Sequence, residues 1–180
     1  MRNRSARLRN ALTPRGAAAI AVTFALCGYA VSAPSSPQHA LFIWNASASA
    51  PIGLYRIRHD RPLLRGQMVL AIPAPSLAAF AARRGYLPLN VPLVKRIAAV
   101  AGDAVCVRGN AIFINDRFAT ARLAADGKGR ALPAWSGCRT LRRDDIFLLM
   151  PAVRASFDGR YFGPTPAAQV VGSLDPIWTR

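Results

Sequence analysis

The chain has 180 residues, of which 52% are hydrophobic, enough for one modest domain with its own core. Its formal net charge is +16, with 24 lysines and arginines against eight aspartates and no glutamate. So basic a balance raises nucleic acid as a partner, but the arginines fall singly or in pairs, with no aromatic–basic interleaving and no basic stripe on a helix, so nucleic-acid binding is not expected. Two scattered histidines and three cysteines make no metal-ligand set, and neither metal nor cofactor is expected.

In chain order, residues 1–15 are a basic arm with five arginines and no acid. Residues 16–33 are uncharged and alanine-rich, and as a helix would span about 27 Å, near the thickness of a hydrocarbon core. The arm predicts a cytoplasmic N-terminus and a single transmembrane helix in the inner membrane, with everything after it in the periplasm. A cleaved secretory signal is the rival: Val31-Ser32-Ala33 has the small-residue spacing, but Pro34 directly after it opposes the cut. Lipidation of Cys27 is disfavoured by the bulk of Leu26. Residues 34–40 read as a linker, and 41–180 as the exported domain.

Within that domain Ala40–Trp44 reads as a first strand, followed by a loop rich in Ser, Ala and Pro and then a strand over Leu54–Arg58. Gly66–Ile72 predicts another strand. Ser76–Arg84 predicts the one soluble helix, capped by Ser76 and ended by Gly85. Leu93–Val100 is an apolar strand. Val105–Val107 and Ala111–Ile114 make a hairpin about Arg108-Gly109-Asn110. Asp126–Pro133 reads as loop, Ile146–Met150 as a strand, and Ala167–Trp178 as a last strand broken at Asp175-Pro176. Many short strands with one helix predict a mainly β, antiparallel domain.

Lys95 carries the first chemical signal. The sequence uses 22 arginines and only two lysines. Lys128 sits in a polar Gly-rich stretch and reads as loop charge. Lys95 lies in Leu93-Val94-Lys95-Arg96-Ile97, between apolar residues that would wall it in, Val94 and Ile97 above all. Arginine cannot lose its proton in a protein, but a buried lysine can. A lysine kept there points to a neutral amine acting as a general base. Upstream, Asn45-Ala46-Ser47-Ala48-Ser49-Ala50-Pro51-Ile52-Gly53 is a tight loop able to hold a serine hydroxyl exposed and fixed. A serine nucleophile needs a base, and a deprotonated lysine is one solution. His39 and His59 invite a Ser–His reading, but neither has a carboxylate at suggestive spacing. Cys106 and Cys138 are an even pair in an oxidising compartment, which reads as one disulfide, with two buried free thiols as the alternative.

A third segment, Ser156-Phe157-Asp158-Gly159-Arg160-Tyr161-Phe162-Gly163, follows the first two in order. Together the nucleophile loop, the Lys95-Arg96 strand ending in Gly102-Asp103, and this box resemble the signal peptidase I clan of Ser–Lys peptidases. The run Ser49-Ala50-Pro51-Ile52-Gly53-Leu54-Tyr55 is similar to the conjugative-transfer, TraF-type branch, whereas ordinary signal peptidases carry Ser-Met-x-Pro. The resemblance covers about residues 41–178. It implies a signal peptidase I-like antiparallel β-sheet domain with Ser49 as nucleophile and Lys95 as base. It implies an oxyanion hole from the Ser49 N–H and the Ser47 hydroxyl, and a Ser156 hydroxyl bonded to the lysine amine. Asp158 and Arg160 are implied as a structural ion pair. Ala50 stands where methionine often follows the nucleophile, which leaves that position without an evident packing role, and Gly159 stands where serine is common.

The implied substrate is an exported or membrane-inserted precursor with small residues at the cut, a pilin subunit in this branch, with cyclisation as one outcome. Two rivals follow: a general type I signal peptidase, and a non-catalytic assembly factor of a secretion or conjugation channel. Nothing in the sequence speaks to oligomeric state.

Overall fold

The structure, a computed structural model, describes residues 40–180. The basic arm, the apolar run 16–33, residues 34–39 of the linker, Cys27 and His39 lie outside the described residues. Among the described residues no helix is long and apolar enough to cross a membrane.

Among the described residues eleven strands and two helices follow one another as β1 (Phe42–Asn45), β2 (Gly53–Arg58), β3 (Met68–Ala71), α1 (Pro75–Arg84), β4 (Leu93–Ala99), β5 (Ala104–Arg108), β6 (Ala111–Ile114), β7 (Arg117–Ala121), β8 (Gly137–Thr140), β9 (Asp145–Leu149), the single-turn α2 (Gly159–Phe162), β10 (Thr165–Pro166) and β11 (Val170–Thr179). A 3₁₀ turn, Ala167–Gln169, leads into β11. Seven strands form one sheet in the order β1-β2-β11-β3-β4-β9-β10, and four form another in the order β7-β6-β5-β8. Every pairing is antiparallel.

The expected strands appear with small shifts at their ends, and four local readings need correction. Ser76 does not cap α1: the cap is Ala74, with no side-chain bond, and Pro75 opens the helix, where a residue without an N–H loses nothing. Gly85 does end it, with φ of 70° and its N–H on the Ala82 carbonyl at 3.0 Å. Asp175-Pro176 does not break the last strand; they pair with Arg56 and Tyr55, and a register shift follows before Trp178. β3 pairs β11 only as far as Leu174, so proline falls where one side of the strand is free of ladder bonds. β7 and β8 were not visible in the sequence, because Arg117–Ala121 is mostly polar or small and all four residues of β8 are exposed. They exist because β5 and β6 offer edges to pair with.

Three apolar clusters hold the sheets together. One joins Tyr55, Ile57, Leu70, Val94 and Leu174 with Ala50 and Met150. A second joins Val69, Ala71, Ile97, Ile146 and Leu148. The third, with Val105, Val107, Ile112, Phe147 and Leu149, packs residues of the small sheet against the large one. Cys106 and Cys138 lie directly opposite on β5 and β8 and are joined as a disulfide. Closing a loop of this size is worth about 3–4 kcal/mol in the chain-entropy account.

Candidate active site

In the order of the large sheet β2 and β4 are separated by β11 and β3, which in a flat sheet would set them about 14 Å apart. The loop after β1 nevertheless reaches β4. Ala50 is buried in the same cluster as Val94, and its neighbour Ser49 is thereby brought to Lys95, the neighbour of Val94. The position following Ser49 therefore packs, with a methyl group in place of a longer side chain.

The loop is built by two side chains that sequence reasoning left without a role. Asn45 is buried, and its amide donates to the carbonyls of Ser47, Ala50 and Pro51 at 3.0, 3.2 and 2.9 Å. Its Oδ1 accepts the Ser47 N–H at 3.1 Å, the local turn that asparagine favours. Tyr55, buried, donates its hydroxyl to the Pro51 carbonyl at 2.7 Å, and burial raises its pKa. The signal was an asparagine opening a Ser/Ala/Pro loop. Gly53 is required by close approach: a Cβ there would lie 2.0 Å from the Trp178 carbonyl oxygen. The Ala50 N–H closes the turn on the Ser47 carbonyl at 3.3 Å, leaving Ser49 at its tip and partly exposed.

Lys95 is 2% exposed, and its Nζ lies 2.7 Å from Ser49 Oγ. Val69, fully buried, is its cross-strand partner. Ile97 shares its face of the sheet, while Val94 lies on the other face by strand alternation and packs under Ala50. Val94 thus supports the loop rather than walling the amine. Burial pushes the Lys95 pKa down to about 8, and Arg160 adds to the fall while Asp158 opposes it. Ser47 Oγ donates to Ser49 Oγ at 3.0 Å and accepts the Ser49 N–H at 3.3 Å. The two groups expected to face an oxyanion therefore bond to each other here.

Behind the lysine, Asp158 and Arg160 are both fully buried and paired at 2.8 Å. Arg160 also donates to the carbonyls of Met150, Val153, Arg154 and Ala121 at 2.8, 3.2, 3.1 and 3.3 Å. Asp158 accepts the N–H of Met150 at 3.0 Å and of Arg160 at 3.2 Å, capping α2. The pair thus shapes the turn that carries Ser156. That residue is 1% exposed, and its Oγ has no hydrogen-bond partner. The expected bond from Ser156 to the Lys95 amine is not made; the amine contacts Ser49 instead. Glycine at 159 has a steric cause: a Cβ would lie 2.7 Å from the Leu148 carbonyl oxygen.

Ser47, Ser49 and Lys95 open into a cleft of about 330 Å³. His59 takes no part, its ring nitrogens facing the carbonyls of Val171 and Ala40 at 3.0 and 2.9 Å. No cluster of metal-ligating side chains occurs among the described residues. Chemically, a serine hydroxyl against a buried amine that sheds its proton near pH 8 can supply an activated oxygen nucleophile.

Fold and site together define an antiparallel β protein with a serine–lysine pair in an apolar cleft. The chain belongs to the signal peptidase family, peptidase S26, whose model matches residues 14–179. A probable conjugal transfer protein TraF of Sinorhizobium fredii is 37% identical over 144 residues, covering 75% of this chain and 76% of that protein. A plasmid transfer protein TraF of Escherichia coli is 34% identical over 146 residues, covering 75% and 81%. A solved signal peptidase I from Enterococcus faecalis V583 superposes with a TM-score of only 0.39 at 20% identity, covering 66% of this chain and all of that one.

Proposed function

We propose that this protein is a serine endopeptidase of conjugative transfer that processes an exported or membrane-inserted precursor, a pilin subunit above all. The carrying observation is the 2.7 Å contact between Ser49 Oγ and a Lys95 amine that burial has pushed down to about 8. The TraF relatives support the conjugative setting, and the family supports a polypeptide substrate.

Neutral Lys95 takes the Ser49 proton as Oγ attacks the scissile carbonyl carbon. The Ser49 N–H and the Ser47 hydroxyl turn from each other to the oxyanion, which needs donors placed before charge develops. The lysine ammonium then protonates the departing amine, leaving an acyl-enzyme. Water on that ester completes hydrolysis, whereas an amine of the same substrate would cyclise it. Asp158 and Arg160 hold the turn that carries the buried Ser156. The apolar run 16–33 would anchor the chain in the inner membrane with this domain in the periplasm.

The test is co-expression with a candidate pilin precursor, followed by mass spectrometry of the product termini. A defined cut lost in Ser49→Ala supports the reading, and ring closure appears as loss of one water. Processing of unrelated exported precursors would favour a general signal peptidase, and an unprocessed pilin with intact transfer an assembly factor. Intact mass on membrane fractions separates an anchored chain from one beginning at Pro34.

A further inference from the structure

The loop that carries Ser49 has a second flank. Ser47 and Ser49 line the catalytic cleft, whereas Ala48, Ala50 and Ile52 line a separate cavity of about 440 Å³, larger than the 330 Å³ cleft. The two share no lining residue. β4 divides in the same way: Lys95 lines the cleft, and Arg96, next along the strand, lines the cavity.

Both walls of this cavity are held by bonds already made. Asn45 and Tyr55 fix the loop through the carbonyls of Ala50 and Pro51. Opposite them, Met150 and Val153 line the cavity and give their carbonyls to Arg160. The cavity is therefore formed before anything enters it.

Its lining is apolar apart from Arg96 and Arg180, and no acidic residue belongs to it. Arg96 Nη1 donates to the Gly66 carbonyl at 2.6 Å, which occupies one of five guanidinium donors. Its charge is felt behind the loop at the Tyr55 hydroxyl, whose pKa burial raises and Arg96 lowers. The Arg180 N–H donates to the Ile52 carbonyl at 3.0 Å and ties that residue to the loop. Among the described residues neither guanidinium has a carboxylate side chain as partner. Both stay charged at any working pH. Two such cations beside apolar walls favour an anion, and the planar fork suits a carboxylate. A polypeptide seated on Ser49 continues past the loop on both sides of the scissile bond, and this cavity begins one residue from the nucleophile.

We propose that this cavity binds a carboxylate of the polypeptide substrate, carried on an otherwise apolar stretch close to the scissile bond. The proposal rests on the peptidase reading and adds a charge requirement to its substrate class. The carboxylate comes from an acidic side chain or from the free end of the substrate, and Arg96 and Arg180 receive either one.

The test uses the full chain carrying Ser49→Ala, so that binding is read without chemistry. The probe is a fluorescein-labelled peptide of alanine, serine and leucine with an amidated end, in which one glutamate or one glutamine is moved along the positions. A second series carries no glutamate, is shortened residue by residue, and ends in a free carboxylate or an amide. In one series a single position or length should bind about 10-fold tighter as the carboxylate than as the amide, and the series that shows it identifies the source. Arg96→Gln and Arg180→Gln should each reduce that gain, and added salt should weaken it. Arg117→Gln, a charge removed from β7 of the small sheet, should leave it in place. An equal gain at every position overturns the site, because the net charge alone then accounts for it. So does no gain in either series, no binding at all, or a gain that survives both Arg96→Gln and Arg180→Gln. The same peptides offered to the protein with Ser49 intact separate the two claims. Carboxylate-dependent binding without cleavage sinks the peptidase reading and keeps the site, whereas cleavage indifferent to the carboxylate does the reverse.

Discussion

Lys95 and Arg160 are both buried, at 2% and 0% exposure, and the protein surrounds them in opposite ways. Arg160 is given a carboxylate at 2.8 Å and four backbone carbonyls. Its charge is fully solvated by protein. Lys95 is given one serine hydroxyl and apolar neighbours. Its charge is poorly solvated, so the proton is held weakly and the pKa falls to about 8. Asp158 is close enough to raise that pKa, but Arg160 claims the carboxylate and counters part of its effect. A buried cation is thus structural where its partners are supplied and available for chemistry where they are withheld.

The strongest way to break this contrast is to exchange the two cations' properties. Lys95→Arg places a permanent charge where the proposed mechanism requires a neutral amine. Precursor processing should fall about 10²- to 10⁴-fold, as much as in Lys95→Ala and Ser49→Ala. Cleavage retained by Lys95→Arg would sink the general-base role.

The reciprocal change is Arg160→Met, which strands Asp158 without a counter-charge. Urea unfolding should show a loss of about 3–5 kcal/mol, the usual cost of breaking a buried pair. A loss below about 1 kcal/mol would mean that the carbonyls and the pair do little for the fold.

Lys95→Met should act in the other direction. The folded-state pKa lies below the ordinary value of 10.5, so the unfolded chain binds the proton more tightly. Wild-type stability therefore rises with pH between about 8 and 10.5 and is lowest below that window. At pH 6 Lys95→Met should be more stable than wild type by on the order of 1–3 kcal/mol, and the gap should close across the window. A constant gap in urea melts at pH 6, 8 and 10 would contradict the burial argument.

The smallest effect is the shape of the activity profile. The rate should rise about tenfold per pH unit below about 8 and level off above it. A maximum in acid would point to a carboxylate, and strong inhibition by reagents tuned to Ser–His enzymes would return attention to His39 or His59.

Much of this was legible in the chain. The strands around Leu54, Val69, Lys95 and Leu148 carry apolar residues at strand length, and the burial of those side chains is what makes them pair. The rarity of lysine singled out Lys95, and the Pro51-x-Gly53 run marked the loop that Ser49 tips. The strands β7 and β8 were not legible, because pairing to a neighbour's free edge leaves little mark on exposed residues. Nor was the role of Asn45, since its four bonds all go to backbone atoms of a loop whose shape exists only once folded.

Sequence alone determined the principal strands, the helix after Pro75, and the presence of a serine loop and an apolar-strand lysine, because those follow from local pattern and side-chain chemistry; the short helix Gly159–Phe162 and the strands β7, β8 and β10 were not read from it. Tertiary structure decided the rest. Ser49 meets Lys95 where their chain neighbours Ala50 and Val94 enter one buried cluster and Asn45 and Tyr55 fix the loop. The amine is poised near pH 8 only because the surrounding core withholds partners from it. The cleft is lined in part by Tyr86 bonded to Asp126, residues 40 positions apart that no local signal connects. Proximity and dielectric are properties of the packed chain, and they are what turn two ordinary side chains into a candidate site.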